Sequence, residues 1–122
     1  KIYLCGYTPT PEQQGLQKTA MGAAEFVEHE SFQRTEEALH ELKKKGIFLI
    51  GLETSKKSID LFSGTLQGPT AFIVGNERFG LDRKILDLCD EVRSIPMFGM
   101  KNSLNVASSL SVAAYEWSRQ NP

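Results

Sequence analysis

Apolar residues in this chain fall into short dense runs separated by longer segments that carry them at helical spacing. Residues 1–6 (Ile2-Tyr3-Leu4-Cys5, closed by Gly6) predict a first strand. Residues 46–52 are a nearly continuous apolar run, the pattern of a strand buried on both faces, as in parallel sheets flanked by helices. Residues 71–74 and the alternating segment 91–95 predict two further strands, and residues 26–32 a short extended piece. Between them, residues 35–45 predict a helix with a narrow apolar face of Ala38, Leu39 and Leu42. Thr35 suits its cap, Glu36 and Glu37 its positive end, and Lys43, Lys44 and Lys45 its negative end before Gly46. Asp82 caps a short predicted helix at 83–88 that buries Ile85, Leu86 and Cys89. The last predicted helix spans 103–119, with Val106, Leu110, Ala113, Ala114 and Trp117 on one face. Its small residues, Ala107, Ser108, Ser109 and Ser111, allow close packing, with a subunit interface among the candidates. Residues 7–17 and 58–68 read as irregular, and 18–23 as either a turn of helix or a loop. This order predicts the α/β class, with a mainly parallel sheet, helices on both faces and a single domain over 1–122.

Composition changes that picture little. The 122 residues suffice for one domain with a core, and 40% hydrophobic with 24% charged residues is an ordinary globular balance. No run reaches membrane-spanning length. Cys5 and Cys89 are too few for a disulfide framework and suit neither a zinc site nor a redox pair, so reduced thiols and a cytoplasmic home are expected. A formal charge of −1 excludes nucleic-acid binding by bulk electrostatics, so any RNA contact needs a local patch. His29 and His40 have no acidic or nucleophilic partner at a telling spacing and read as surface or core-edge residues.

Candidate chemistry gathers in three loops that follow predicted strands: Glu53-Thr54-Ser55, Gly75-Asn76-Glu77-Arg78-Phe79-Gly80, and the stretch from Pro96 to Asn105. In an open α/β sheet such loops meet at the carboxyl edge, where ligands bind. The Gly75 loop is not a P-loop, not a dinucleotide fingerprint and not a nucleophile elbow, and no metal-ligand spacing occurs. What remains is an apolar slot of Ile95, Met97 and Leu104, a carboxylate at Glu77, a glycine that permits close approach of a flat ligand at Gly75, and hydrogen-bonding groups at Ser103 and Asn105. This set suits a nucleoside cofactor without phosphates. It equally suits a helix cap at Ser103, a polar first-turn residue at Asn105 and a solvated charge at Glu77.

Three motifs resolve the choice. Gly75-Asn76-Glu77-x-x-Gly80, Ile95-Pro96-Met97-x-Gly99 and Asn102-Ser103-Leu104-Asn105-Val106-Ala107, with their spacing, resemble the second and third signatures of the SpoU/TrmH class of SPOUT RNA 2′-O-ribose methyltransferases. The resemblance implies a C-terminal trefoil knot and S-adenosyl-L-methionine (AdoMet) held by Leu52, Gly75, Ile95, Met97 and Leu104. It implies a homodimer formed in part by the last helix. It implies methyl transfer to a ribose 2′-hydroxyl of tRNA or rRNA without a metal, with Glu77, Ser103 and Asn105 in the catalytic pocket. Lys18, Arg78 and Lys101, in or near these loops, are the candidate RNA contacts.

The family's first motif carries an Asn and an Arg ahead of the strand that here starts at Lys1. The sequence is therefore expected to be truncated at its N-terminus, to keep the cofactor part of the site, and on its own to bind AdoMet weakly or not at all. The competing expectation is a non-catalytic, dimerising RNA-associated module of the same fold.

Overall fold

The computed structural model describes residues 1–12, 21–101 and 104–122. It contains two compact units, Lys1–Glu41 and Leu42–Pro122. In the first, β1 (Ile2–Cys5) pairs in parallel with β2 (His29–Phe32), with Ile2 opposite His29 and Cys5 opposite Phe32. The Tyr3 and Phe32 rings lie 5.6 Å apart. Lys1 bridges Glu28 at 3.0 Å and Glu30 at 2.9 Å. A 3₁₀ turn at Ala23–Glu25 follows Gly22, whose φ of 85° suits a residue without Cβ.

Helix α1 (Thr35–Lys44) crosses from one unit into the other. Its face of Ala38, Leu39 and Leu42 is buried, as its spacing predicts. It stops where Gly46 takes a φ of 74° and donates its N–H to the Lys43 carbonyl, while Ile47 N–H reaches the Leu42 carbonyl. A left-handed glycine past the last turn is the usual way to satisfy those carbonyls.

The second unit is built on an all-parallel sheet in the order β4-β6-β3-β5. Its strands are β3 (Phe48–Leu52), β4 (Ile59–Asp60), β5 (Thr70–Ile73) and β6 (Glu91–Ser94). Strand β3 lies between β5 and β6 and alternates its side chains between two buried layers. On one face Ile50 clusters with Leu61, Leu66 and Ala113, joined by Leu52, Phe72, Val112 and Trp117. That layer is covered by α3 (Val106–Gln120). On the other face Gly51 sits against Cys89, Leu81 and Leu86, where a Cβ would meet the Cys89 sulfur at 3.2 Å. That layer is covered by α2 (Arg83–Leu88), capped by Asp82, whose Oδ1 accepts the Ile85 N–H at 3.0 Å. Helices thus cover both sheet faces, as the unbroken apolar run of β3 predicts. Cys89 is a free thiol; burial first, then the Asp90 charge, pushes it up to about 11, so it stays protonated.

Three local differences from the sequence reading have clear causes. Strand β4 lies inside the segment predicted to be irregular, because two residues carry no readable alternation. Helix α3 starts at Val106, not at 103, because Asn105 is its cap. On α3, Ala114 is exposed and Glu116 is buried, the reverse of what apolar spacing suggests. Arg119 and Gln120 hydrogen-bond the Glu116 carboxylate and make that burial tolerable.

Candidate functional site

The carboxyl ends of β3, β5 and β6 open into a cleft of about 550 Å³. Leu52, Gly75, Ile95, Met97 and Leu104, predicted as cofactor contacts from three separate stretches, all line it. So do Glu77, Arg78 and Asn105. The predicted loop after β3 contributes Glu53 and Thr54. Lys101 is exposed but is not on the cleft wall, so its predicted RNA contact lies apart from the site. Lys18 and Ser103 lie outside the described residues.

The 75–80 loop owes its shape to its own residues. Asn76 Oδ1 accepts the N–H groups of Arg78 at 2.7 Å and Phe79 at 3.3 Å, and the Asn76 carbonyl accepts Gly80 N–H at 2.7 Å. An asparagine that bonds the backbone two residues on is a standard turn former. The loop then returns across Gly75 so closely that a Cβ there would sit 2.2 Å from the Gly80 carbonyl carbon. The close approach that this glycine permits is therefore that of the loop's own return leg, where the sequence suggested a flat ligand. Gly80 itself has a φ of 67°.

Glu53 meets the same return leg from the other side. Its Oε2 accepts the Leu81 N–H at 2.8 Å, and its own N–H reaches the Arg93 carbonyl at 3.1 Å. The amides of Arg78, Phe79, Gly80 and Leu81 are thus all spent within the protein. A glycine loop cradles phosphate only when successive N–H groups stay free to point at it. This one offers a ligand its carbonyls and side chains instead, beside the carboxylates of Glu53 and Glu77.

The cleft's far wall is the start of α3. Asn105 Oδ1 accepts the N–H of Ala107 at 2.9 Å and of Ser108 at 3.2 Å. Its oxygen is committed to the helix, which leaves its amide nitrogen for other work. Arg78 lies over the exposed Phe79 ring, 5.6 Å from its centroid, as a cation–π pair at the mouth. Arg93 is buried and has no free guanidinium: it pairs with Glu91 at 2.7 Å and donates to the carbonyls of Leu61, Ser63 and Thr65. No sequence signal marks Arg93 for this, because the carbonyls it serves lie about thirty residues away.

Chemically, the described residues form an apolar slot with acceptors at its rim and, among them, no anion cradle. Residues 1–115 match the SpoU rRNA Methylase family. The chain belongs to that family. This SpoU chain is 39% identical, over 86% of its length and 42% of the relative's, to the 23S rRNA (guanosine-2′-O-)-methyltransferase RlmB of Neisseria meningitidis. It is 32% identical, over 81% of its length and 47% of the relative's, to the tRNA (guanosine(18)-2′-O)-methyltransferase of Aquifex aeolicus. Among solved structures it resembles the SpoU methyltransferase AviRb of Streptomyces viridochromogenes in complex with AdoMet. There the TM-score is 0.87 at 25% identity, covering 98% of this chain and 49% of that one. The SpoU chain therefore spans less than half the length of these relatives. Among the described residues, no helix is long and apolar enough to cross a membrane.

Proposed function

We propose that this chain carries the cofactor part of an AdoMet-dependent RNA methyltransferase that acts on a ribose 2′-hydroxyl of tRNA or rRNA in the cytoplasm. One observation carries the reading: Gly75, Ile95, Met97 and Leu104 from the three motifs meet Leu52 from the end of β3 in one cleft at the carboxyl edge of a parallel sheet, in a chain of the SpoU family. The residues present fit AdoMet. A cleft of about 550 Å³ is within the usual range for a molecule of that size. Its apolar wall of Leu52, Ile95, Met97 and Leu104 suits an adenine. The spent amides of Arg78, Phe79, Gly80 and Leu81 suit a nucleoside without phosphates.

When bound, AdoMet supplies a methyl group on a sulfonium, which leaves readily. The protein's part is to hold the hydroxyl in line and to receive or orient its proton. Glu77 presents a carboxylate on the cleft wall. Asn105, its oxygen fixed by the helix, presents its amide nitrogen as a donor. Ser103 completes this catalytic group, and Arg78, Lys101 and Lys18 serve the RNA backbone. The reading includes a single SPOUT domain with a trefoil knot in its C-terminal part. It also includes a homodimer that uses α3, where Tyr115 and Phe62 are exposed beside Val112.

Calorimetry tests the cofactor: AdoMet and its demethylated product are expected to bind in preference to ATP, and only weakly to this chain on its own. Incubation with total RNA and labelled AdoMet, followed by nucleoside mapping, tests the acceptor. Binding of ATP in preference to AdoMet overturns the reading. Cofactor and RNA binding without any methylated nucleoside makes the protein a non-catalytic RNA-associated module.

A further inference from the structure

Glu53 ties the end of β3 to β6 and to the loop that follows β5. Its backbone extends β3 by one residue and bonds the Arg93 carbonyl of β6 at 3.1 Å. Its side chain reaches the Leu81 N–H at 2.8 Å, where the 75–80 loop closes. The return leg of that loop is held between two surfaces. On one side Gly75 leaves no room for a Cβ; on the other, a Cβ on Gly80 would meet the Glu53 carboxylate at 2.5 Å. Oε2 is committed to the loop, and the residue as a whole borders the cleft.

We propose that Glu53 is a positioning residue that sets the 75–80 loop, and with it Glu77, through its hydrogen bond to the Leu81 amide. The proposal rests on the reading of the cleft as a cofactor site. The bond is charge-assisted and partly buried, the class that contributes most when made and costs most when broken. The required feature is reach with an acceptor oxygen at its end. A glutamine has both without the charge, whereas an aspartate has the charge but is one methylene too short.

That contrast is the test. Glu53→Gln and Glu53→Asp are compared with the unaltered protein for amide hydrogen exchange at Leu81 and for AdoMet affinity by calorimetry. Glu53→Asp is expected to speed Leu81 exchange and to weaken AdoMet binding by about tenfold or more, the scale of one lost charge-assisted bond. Glu53→Gln is expected to restore both to within about threefold, a residual that reflects the weaker neutral acceptor. Equal damage from both variants overturns the proposal, and damage from Glu53→Gln with Glu53→Asp spared overturns it by assigning the effect to charge. Unchanged Leu81 exchange in Glu53→Asp overturns it too. Failure of AdoMet to bind even the full-length protein overturns the cofactor reading instead, while Leu81 exchange still reports on the strut.

Discussion

Two irregular segments of the second unit, 61–68 and 75–80, solve the same problem in opposite ways. Each must satisfy backbone polar groups outside helix and sheet. Segment 61–68 is served by distant side chains. Arg93 takes the carbonyls of Leu61, Ser63 and Thr65; Gln120 takes the Leu66 N–H; Asn121 takes the Gly68 N–H; and Trp117 donates to the Gly68 carbonyl. With its backbone satisfied from outside, the segment turns Leu61 and Leu66 inward and becomes core. The 75–80 loop is served by its own Asn76 and by Glu53. Its side chains are left facing out, with Glu77, Arg78 and Phe79 exposed around the cleft. Irregular backbone thus becomes core when remote side chains hold it throughout, and becomes a site when it holds itself but for one remote strut at its return leg.

The sharpest way to break the first arrangement is Arg93→Ala. It strands three carbonyls and the Glu91 carboxylate around a buried vacancy. Removing one member of a buried charged network costs about 3–5 kcal/mol, a large share of a small domain's stability. Denaturant unfolding is expected to show that loss, with hydrogen-exchange protection at Leu66 disappearing first. The matching change in the 75–80 loop is Gly75→Ala. Its methyl meets backbone at 2.2 Å, so the return leg must move. Forced repacking of this kind costs about 1–3 kcal/mol. Here the effect on the ligand is expected to exceed the effect on the fold: the protein stays folded by circular dichroism while AdoMet affinity falls. A Gly75→Ala protein that unfolds like Arg93→Ala would erase the distinction between the two segments.

The same contrast explains what was legible in the sequence. Strand β3, both helix faces of the sheet and the Asp82 cap follow from local pattern, and they lie where the pattern puts them. The cleft was legible because Gly75 and Ile95 come just after strands, and parallel strands bring their ends together; Leu52, the last residue of β3, was marked only by the family resemblance. Arg93 and Glu53 were not assigned their roles, because their partners are separated from them by about thirty residues. Asn105 shows the boundary case. Its capping role displaces the helix start by three residues and decides which of its atoms is free. Asn105→Ala is expected to cost about 1 kcal/mol, the usual worth of an N-cap. Asn105→Ser keeps a capping oxygen but removes the amide nitrogen. It should recover the stability without recovering methyl transfer. Recovery of both would show that Asn105 serves the helix alone.

The smallest expected effect lies at the far end of α3, where the core segment is tied down. Glu116 accepts from Arg119 at 2.7 and 2.9 Å and from Gln120 at 2.8 Å, and Gln120 in turn takes the Leu66 N–H. The Arg119 bonds first, then that from Gln120, lower the Glu116 carboxyl from 4.5 to about 2. A carboxyl depressed in the folded state contributes its full stabilisation above its unfolded value and loses it as pH falls through the folded one. The contribution is therefore complete above pH 4.5 and fades towards pH 2. Unfolding measured across that window is expected to steepen for the unaltered protein relative to Glu116→Gln, which does not titrate and keeps one of the two acceptor oxygens. Arg119 is largely exposed, so added salt should shrink the difference. Parallel pH profiles at low salt would mean that the Leu66 clamp is set by Gln120 alone, and that the core segment owes its order to neutral bonds and Arg93.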